Sequence, residues 1–269
     1  TDSSSEFVLE TMKTDSRISF IQHKYNQGIC NSRNHAVLTS RGQYIMSLDP
    51  DDAYVNNSIE LAYQSALEYN ADMLEFRIGA IHRNYTDYNW MNCRISYFQN
   101  EVVLTKLQRF RYGNPDIHTC KKIIRRSVYL KAVNLILPYI KDKRICISED
   151  LLHVGTVLIF ARNYICTQHL VYLYYRNAPD SSINKGYVTR KQKIATGEYV
   201  KQILRYFYRY RKNPQNCNVS EFFSNPNNTI LYNTIFNFDK YPKKNLSSFY
   251  NYGFSYSDFI NDGYVFFFH

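Results

Sequence analysis

The chain lacks several features that would each have fixed its class. Its six cysteines, at 30, 93, 120, 146, 166 and 217, include no Cys-x-x-Cys pair, and its histidines fall at no zinc spacing. Neither a metal knuckle nor a disulfide scaffold is indicated, and reduced, mostly buried thiols are expected. No secretory signal peptide opens the sequence, and no apolar run approaches the roughly 20 residues that cross a bilayer. Internal repeats are absent. Acids are in short supply: 23 face 33 lysines and arginines, a net charge of +10. A field of that sign favours phosphate-bearing partners or anionic membrane surfaces, although an Asn-, Tyr-, Lys- and Ile-rich composition explains much of it. Asn-x-Ser/Thr triplets at Asn56, Asn84, Asn218, Asn227 and Asn245 would matter only in a secretory lumen, and an Asn-rich chain makes them by chance.

What is present is enough to fold. Apolar residues make up 45% of 269 positions, sufficient for one large α/β domain or two small ones. Serines 3 to 5 offer N-caps for a helix through Met12, and Ile18 to Ile21 alternates as a short strand does. Helical spacing runs from Cys30 to Leu38 and is broken by Gly42, after which Tyr44 to Leu48 reads as a short apolar strand. A helix over Ser58 to Tyr69 and a strand over Asp72 to Phe76 follow. Residues 79 to 100 show little periodicity and fit a long loop or an irregular hairpin. Val102 to Tyr112 is expected to be helical, as is a stretch capped by Ser127 and ended by Pro138. Ser148 is expected to cap a helix reaching Phe160. Tyr164 to Tyr175 is β-like and ends at Arg176. Residues 187 to 212 form a basic helix, with Val200, Ile203, Leu204 and Phe207 on one stripe. Alternating strands and helices make the class α/β.

Two acidic clusters carry chemistry. Asp49-Pro50-Asp51-Asp52 follows a buried strand, at the edge where open α/β sheets bind ligands. Three carboxylates so close repel one another unless a cation or a hydroxyl-bearing ligand shares the charge. Hard ions such as Mg²⁺ or Mn²⁺ use one or two carboxylates plus substrate phosphates. The alternative is a solvated turn built on Asp chemistry. It is not a calcium loop, because the required glycine is replaced by Tyr54. The second cluster, Glu149-Asp150, opens a helix, where acids also favour the dipole without any catalytic role.

The order and spacing decide between these readings. The run Asn26-x-Gly28-x-x-x-x-Arg33-Asn34, then Ser40-Arg41-Gly42-x-Tyr44-Ile45-x-x-Leu48-Asp49-x-Asp51-Asp52, resembles the nucleotide-sugar segment of family-2 GT-A glycosyltransferases. Ser148-Glu149-Asp150-Leu151-Leu152 resembles that family's Glu-Asp motif. Lys122-Ile123-Ile124-Arg125-Arg126 resembles the segment framing its acceptor cleft, and Tyr174-Tyr175-Arg176-x-x-x-x-Ser181-Ser182-Ile183 resembles the loop closing over the diphosphate.

The resemblance implies a GT-A fold, a Rossmann-like mixed sheet flanked by helices, over residues 1–183. Residues 184–269 would be a helical and irregular C-terminal appendage. Thr1-Asp2-Ser3-Ser4 looks like the tail of the family's Asp-Gly-Ser-Thr-Asp-x-Ser turn, so a strand, helix and strand of roughly 35 residues would precede it. The implied reaction is transfer of a sugar from a nucleoside-diphosphate donor, a UDP-sugar, to an acceptor hydroxyl with inversion, aided by Mn²⁺ or Mg²⁺. Asp150 would be the catalytic base. Asp49 would hold the ribose, Asp51 the metal on the diphosphate, Arg33 the nucleobase region, and Arg176 the leaving group. Asn26, Gly28, Asp52, Glu149 and Lys122 would support them.

The acceptor, whether carbohydrate, lipid or protein, is not encoded in these motifs. A cytoplasmic location or the cytoplasmic face of a membrane is favoured. The aromatic and basic run from Arg205 to Lys212 could stack on bases, lie on a membrane surface or pack against the body; core-like spacing favours packing, and nucleic acid is not the expected partner. The competing class is an inactive GT-A-like binding module with a basic, membrane- or nucleic-acid-interacting C-terminal segment.

Overall fold

The computed structural model describes residues 3–91, 96–99, 117–140, 145, 148–176 and 190–229. Helix α1 spans Ser4–Met12 and α2 spans Ile29–Thr39. Strands β1 (Tyr44–Met46) and β2 (Ala53–Tyr54) flank the acidic turn, and α3 (Ser58–Glu68) leads into β3 (Met73–Ile81). Strands β4 (Thr86–Met91), β5 (Ser96–Gln99) and β6 (Lys122–Arg125) precede α4 (Arg126–Ile140). Then come α5 (Glu149–Phe160), β7 (Asn163–Tyr175), α6 (Arg190–Arg209) and α7 (Val219–Ser224).

The sheet is mixed, in the order β1-β6-β3-β7-β2. Its centre is the parallel pair β3 and β7, which runs from Met73 opposite Tyr164 to Ile81 opposite Tyr175 with register shifts between Glu75 and Ile78. Each central strand has its outer edge covered in two halves. Along β3, β6 pairs with residues 73–75 and β4 with residues 78–81; along β7, β5 pairs with residues 163–166 and β2 with residues 172–173. The tail of β7 therefore runs beside the strand that leaves the acidic turn.

Two apolar cores hold the layers. On one side Ala62 and Ala66 of α3 pack on Leu74, Phe76, Ile78, Tyr172 and Tyr174. On the other, Met73, Ile124 and Tyr164 meet α4, α5 and α6 through Val133, Ile136, Val157, Tyr199, Val200, Ile203 and Phe207. The stripe on α6 is thus part of the body's core, and the Tyr199 hydroxyl donates to the Tyr139 carbonyl over 2.6 Å. Helix α5 approaches α6 at Gly155, where a Cβ would come within 2.8 Å of Leu204.

Several local expectations are corrected. Over 18–21 only Ser19 makes a strand-type bridge, a single pairing rather than a strand. Strand β3 runs on to Ile81, beyond the expected end at Phe76, since β4 and β7 supply partners for its second half. Pro138 lies inside α4 rather than ending it. Its missing N–H leaves the Asn134 carbonyl without a helical donor, but both residues are exposed, while Ile136, Tyr139 and Ile140 anchor the last turn in the core. The helix expected over Val102 to Tyr112 and the Ser181-Ser182-Ile183 motif lie outside the described residues. Among the described residues, Cys30, Cys120, Cys166 and Cys217 form no disulfide.

Candidate active site

The acidic turn is built by its own sequence. The Asp52 N–H donates to the Asp49 carbonyl over 3.1 Å, closing a turn with Pro50 in the second position, where its fixed φ suits the bend. Both flanks are fastened to β7: the Tyr172 hydroxyl accepts from the Asp49 N–H at 3.2 Å, and the Val55 N–H donates to the Val171 carbonyl at 2.9 Å. One Asp52 oxygen accepts from the Tyr172 hydroxyl at 2.6 Å and the other from the Tyr175 N–H at 2.8 Å. Asp51 is left at the apex, half-buried.

Helix α2 starts at Gly28, whose φ of 78° belongs to the left-handed side of the map that glycine adopts without strain. The Asn26 side chain accepts from the Gly28 N–H at 2.9 Å and shapes that entry. One turn into the helix, Arg33 is only 5% exposed. Its guanidinium lies 2.9 Å from Asp150, 3.5 Å from Glu149 and 3.7 Å from Asp49. The cation sequence analysis assigned to the nucleobase region is, in its observed contacts, the shared counter-charge of both acidic clusters.

The second cluster opens α5. Ser148 precedes it at φ 61°, a left-handed conformation, and makes no side-chain cap; its hydroxyl is buried without a hydrogen-bond partner. Capping serines normally sit in the β region with the hydroxyl over the first turn, which this backbone prevents. The expected cap is therefore corrected, although the helix begins at the expected place. Asp150 accepts a short hydrogen bond from the Thr119 hydroxyl.

Four charged groups in so little water cannot all keep ordinary acidities. Burial, reinforced by the neighbouring Asp150, pushes the Glu149 carboxyl well up. Burial also raises Asp49 to about 6 against the opposing pull of Arg33, with Asp150 and Asp51 adding to the rise. Asp52 rises to about 7, mainly through burial, despite its bonds from Tyr172 and Tyr175. Asp51 is raised by burial as well. For Arg33, burial works against the charge, yet Asp150, Glu149 and Asp49 together outweigh it and hold the guanidinium protonated. A site with spare negative charge and partly exposed oxygens is suited to a cation or a donor of O–H groups.

Behind the cluster lies a neutral brace. His153, one turn after Glu149, is fully buried between the Tyr129 hydroxyl at 2.9 Å from Nδ1 and the Cys30 Sγ at 3.7 Å from Nε2. Burial first, and the Arg33 charge second, depress its pKa to about 3, so the ring is neutral.

The remaining candidates are placed apart from this hub. Lys122 is buried, 3.7 Å from Glu75 and donating to the His118 carbonyl over 2.8 Å. Lys121 and the Tyr164 hydroxyl also engage Glu75. Lys122 thus anchors the segment that carries Thr119. Arg176 is exposed at the end of β7, next to Tyr175, with its N–H on the Ile81 carbonyl at 3.0 Å. Thr119, Tyr172 and His153 were missed by sequence reading. Tyr172 carried the one available signal, an aromatic hydroxyl in an otherwise buried strand, which must find a polar partner.

No group of three or more His, Cys, Asp or Glu side chains able to cage a metal occurs among the described residues. The oxygen donors at the turn fit the other kind of site, in which a hard divalent ion takes one or two carboxylates and completes its shell with phosphate and water.

Residues 1–132 match the profile of the family described as Glycosyl transferase family 2. Over these residues the chain is similar to glycosyl transferase family 2. The matched stretch covers α2, the acidic turn and β6, and ends within α4. Glycosyltransferase GlyG of Streptococcus pneumoniae serotype 4 is 32% identical over 74 residues, 28% of this chain and 25% of that protein. The Escherichia coli protein UDP-Glc:alpha-D-GlcNAc-diphosphoundecaprenol beta-1,3-glucosyltransferase WfgD is 30% identical over 71 residues, 26% of this chain and 28% of its own length. The matched stretch thus spans about a quarter of these curated relatives. Among solved structures, S. aureus TarS 1-349 in complex with UDP-GlcNAc superposes with a TM-score of 0.53 at 16% identity, covering 87% of this chain and 70% of that one. At that identity the likeness speaks to the fold, which is of the GT-A class.

Proposed function

We propose that the protein is an inverting glycosyltransferase that moves a sugar from a UDP-sugar to an acceptor hydroxyl. The observation that carries this reading is the convergence on Arg33 of Asp49 from the first acidic cluster and Asp150 from the second. In this reading Asp49 binds the ribose and Asp150 takes the proton from the acceptor hydroxyl as the sugar carbon is attacked. Asp51, at the turn's apex, would hold Mn²⁺ or Mg²⁺, whose chemistry when bound is to stabilise negative charge on the departing diphosphate. Arg176, beside Tyr175 at the end of β7, would add positive charge toward the leaving diphosphate. Arg33 keeps the two carboxylates close, and Glu149, its acidity suppressed, spares the pocket one negative charge. The choice of UDP is supported by the UDP-Glc in the name of WfgD and the UDP-GlcNAc held by TarS.

The test uses the full-length protein with UDP-glucose or UDP-GlcNAc and Mn²⁺, reading UDP release and nucleotide binding. Wild type is expected to bind UDP in a metal-dependent way. Asp51→Ala should abolish that binding, and Asp150→Asn should stop turnover while sparing it. A wild-type protein that binds no nucleotide, yet adheres to anionic vesicles through α6, would replace this reading with the inactive module.

A further inference from the structure

The acidic turn has a partner that the motif does not contain. Tyr172 sits in β7, its ring fully buried and set edge-on against Tyr54, with centroids 5.7 Å apart and an interplanar angle of 81°. Tyr54 is also its ladder partner across β2 and β7, so backbone and ring are fixed by the same neighbour. The hydroxyl at the end of this buried ring makes two bonds at once. It accepts from the Asp49 N–H and donates to Asp52 Oδ2. Since Asp52 Oδ1 is taken by the Tyr175 N–H, each oxygen of Asp52 has a bond to β7. Asp52 is therefore a structural acid of the turn, and Asp51 is the acid presented at its apex.

We propose that Tyr172 is a positioning residue that holds the Asp49–Asp52 turn in the shape a metal-bound nucleoside diphosphate requires. The inference rests on the donor-site reading above. Its physical content is preorganisation: a turn carrying three closely spaced carboxyl groups would otherwise splay, and the cost of gathering it would be met at each binding event. Because β7 continues directly to Arg176, the same strand would set the spacing between the turn and that cation. Tyr172 touches neither metal nor donor in this scheme and acts through Asp49 and Asp52.

The decisive comparison is between wild type and Tyr172→Phe in the full-length protein, with UDP binding followed calorimetrically with and without Mn²⁺. Phenylalanine keeps the ring and its packing on Tyr54. Metal-dependent UDP affinity is expected to fall about ten- to a hundredfold, the scale of one hydrogen bond to a charged group, while the melting temperature moves little. In a double-mutant cycle, adding Asp52→Asn should cost far less than it does in wild type, because both changes break one contact. If Tyr172→Phe does not fold, Asp52→Asn alone probes the bond from its other end: its amide cannot accept from both Tyr172 and the Tyr175 N–H, and weaker metal-dependent binding is again expected. Wild-type binding retained in Tyr172→Phe, or in Asp52→Asn where that stands alone, overturns the positioning role and leaves the donor site standing. Absence of UDP binding by wild type overturns both.

Discussion

The Arg33 guanidinium lies 2.9 Å from Asp150 although 117 residues separate them in the chain. The same cation faces Glu149 and Asp49, so one side chain of α2 neutralises acids delivered by a strand end and by a distant helix start. Breaking a buried arrangement of this kind leaves uncompensated charge, which is more damaging than never having had it.

Arg33→Met should therefore destabilise the fold by about 3–5 kcal/mol at pH 8. The loss should narrow at pH 5. A carboxyl whose folded pKa is raised gains protons on folding, so acidification relieves it, and Glu149 is such a group. Urea unfolding of both proteins at the two pH values measures this; a loss that grows toward acid would contradict the assignment.

His153 has the opposite sign. Its folded pKa is depressed to about 3 from an ordinary 6.5, so its contribution is complete above 6.5 and is lost as pH falls toward 3. The slope is up to about 1.4 kcal/mol per pH unit from this residue. Between pH 7 and pH 5, wild type should lose about 2 kcal/mol more than His153→Gln, whose side chain does not titrate. Unfolding midpoints for the pair give the comparison, and parallel curves would remove His153 from the account.

Thr119 aims Asp150 from the segment before β6. Thr119→Val, which keeps the shape and deletes the hydroxyl, should lower kcat about tenfold, equivalent to one hydrogen bond, with UDP binding unchanged. Thr119→Ser should restore most of the rate. Equal loss in the Val and Ser variants would assign the effect to packing.

Gly155 lets α5 and α6 approach. Gly155→Val must displace Leu204, whose side-chain carbons already lie 2.8–2.9 Å from where a Cβ would stand. A destabilisation of about 2 kcal/mol is expected, relieved in part by Leu204→Ala. Thermal melts of the single and double variants test the contact.

The parts of this molecule legible in the sequence are those with local causes. Asp49 to Asp52 could be read because a proline-bearing turn after an apolar run has one structural meaning, and Glu149-Asp150 because acids open helices. The long-range parts were silent. Nothing near Arg33 says that it will be buried, and nothing near Thr119 points to Asp150, since both contacts arise only when the sheet and α5 are assembled. Pro138 misled for a related reason: its local penalty is real, but exposure of Asn134 and burial of Ile136, Tyr139 and Ile140 outweigh it. Ser148 has the right residue type at the right place with the wrong backbone angle, which no sequence pattern reports.

The hub at Arg33 also sets a rule for recombination. Arg33 and Asp49 come from the first fifth of the chain, Glu149 and Asp150 from beyond its middle. A chimera that joins the front of one relative to the back of another inherits half of a charge balance from each parent. Such hybrids should fold only where the two halves agree on the number of buried acids and on the cation between them. Crossover points chosen by loop position alone would ignore this constraint.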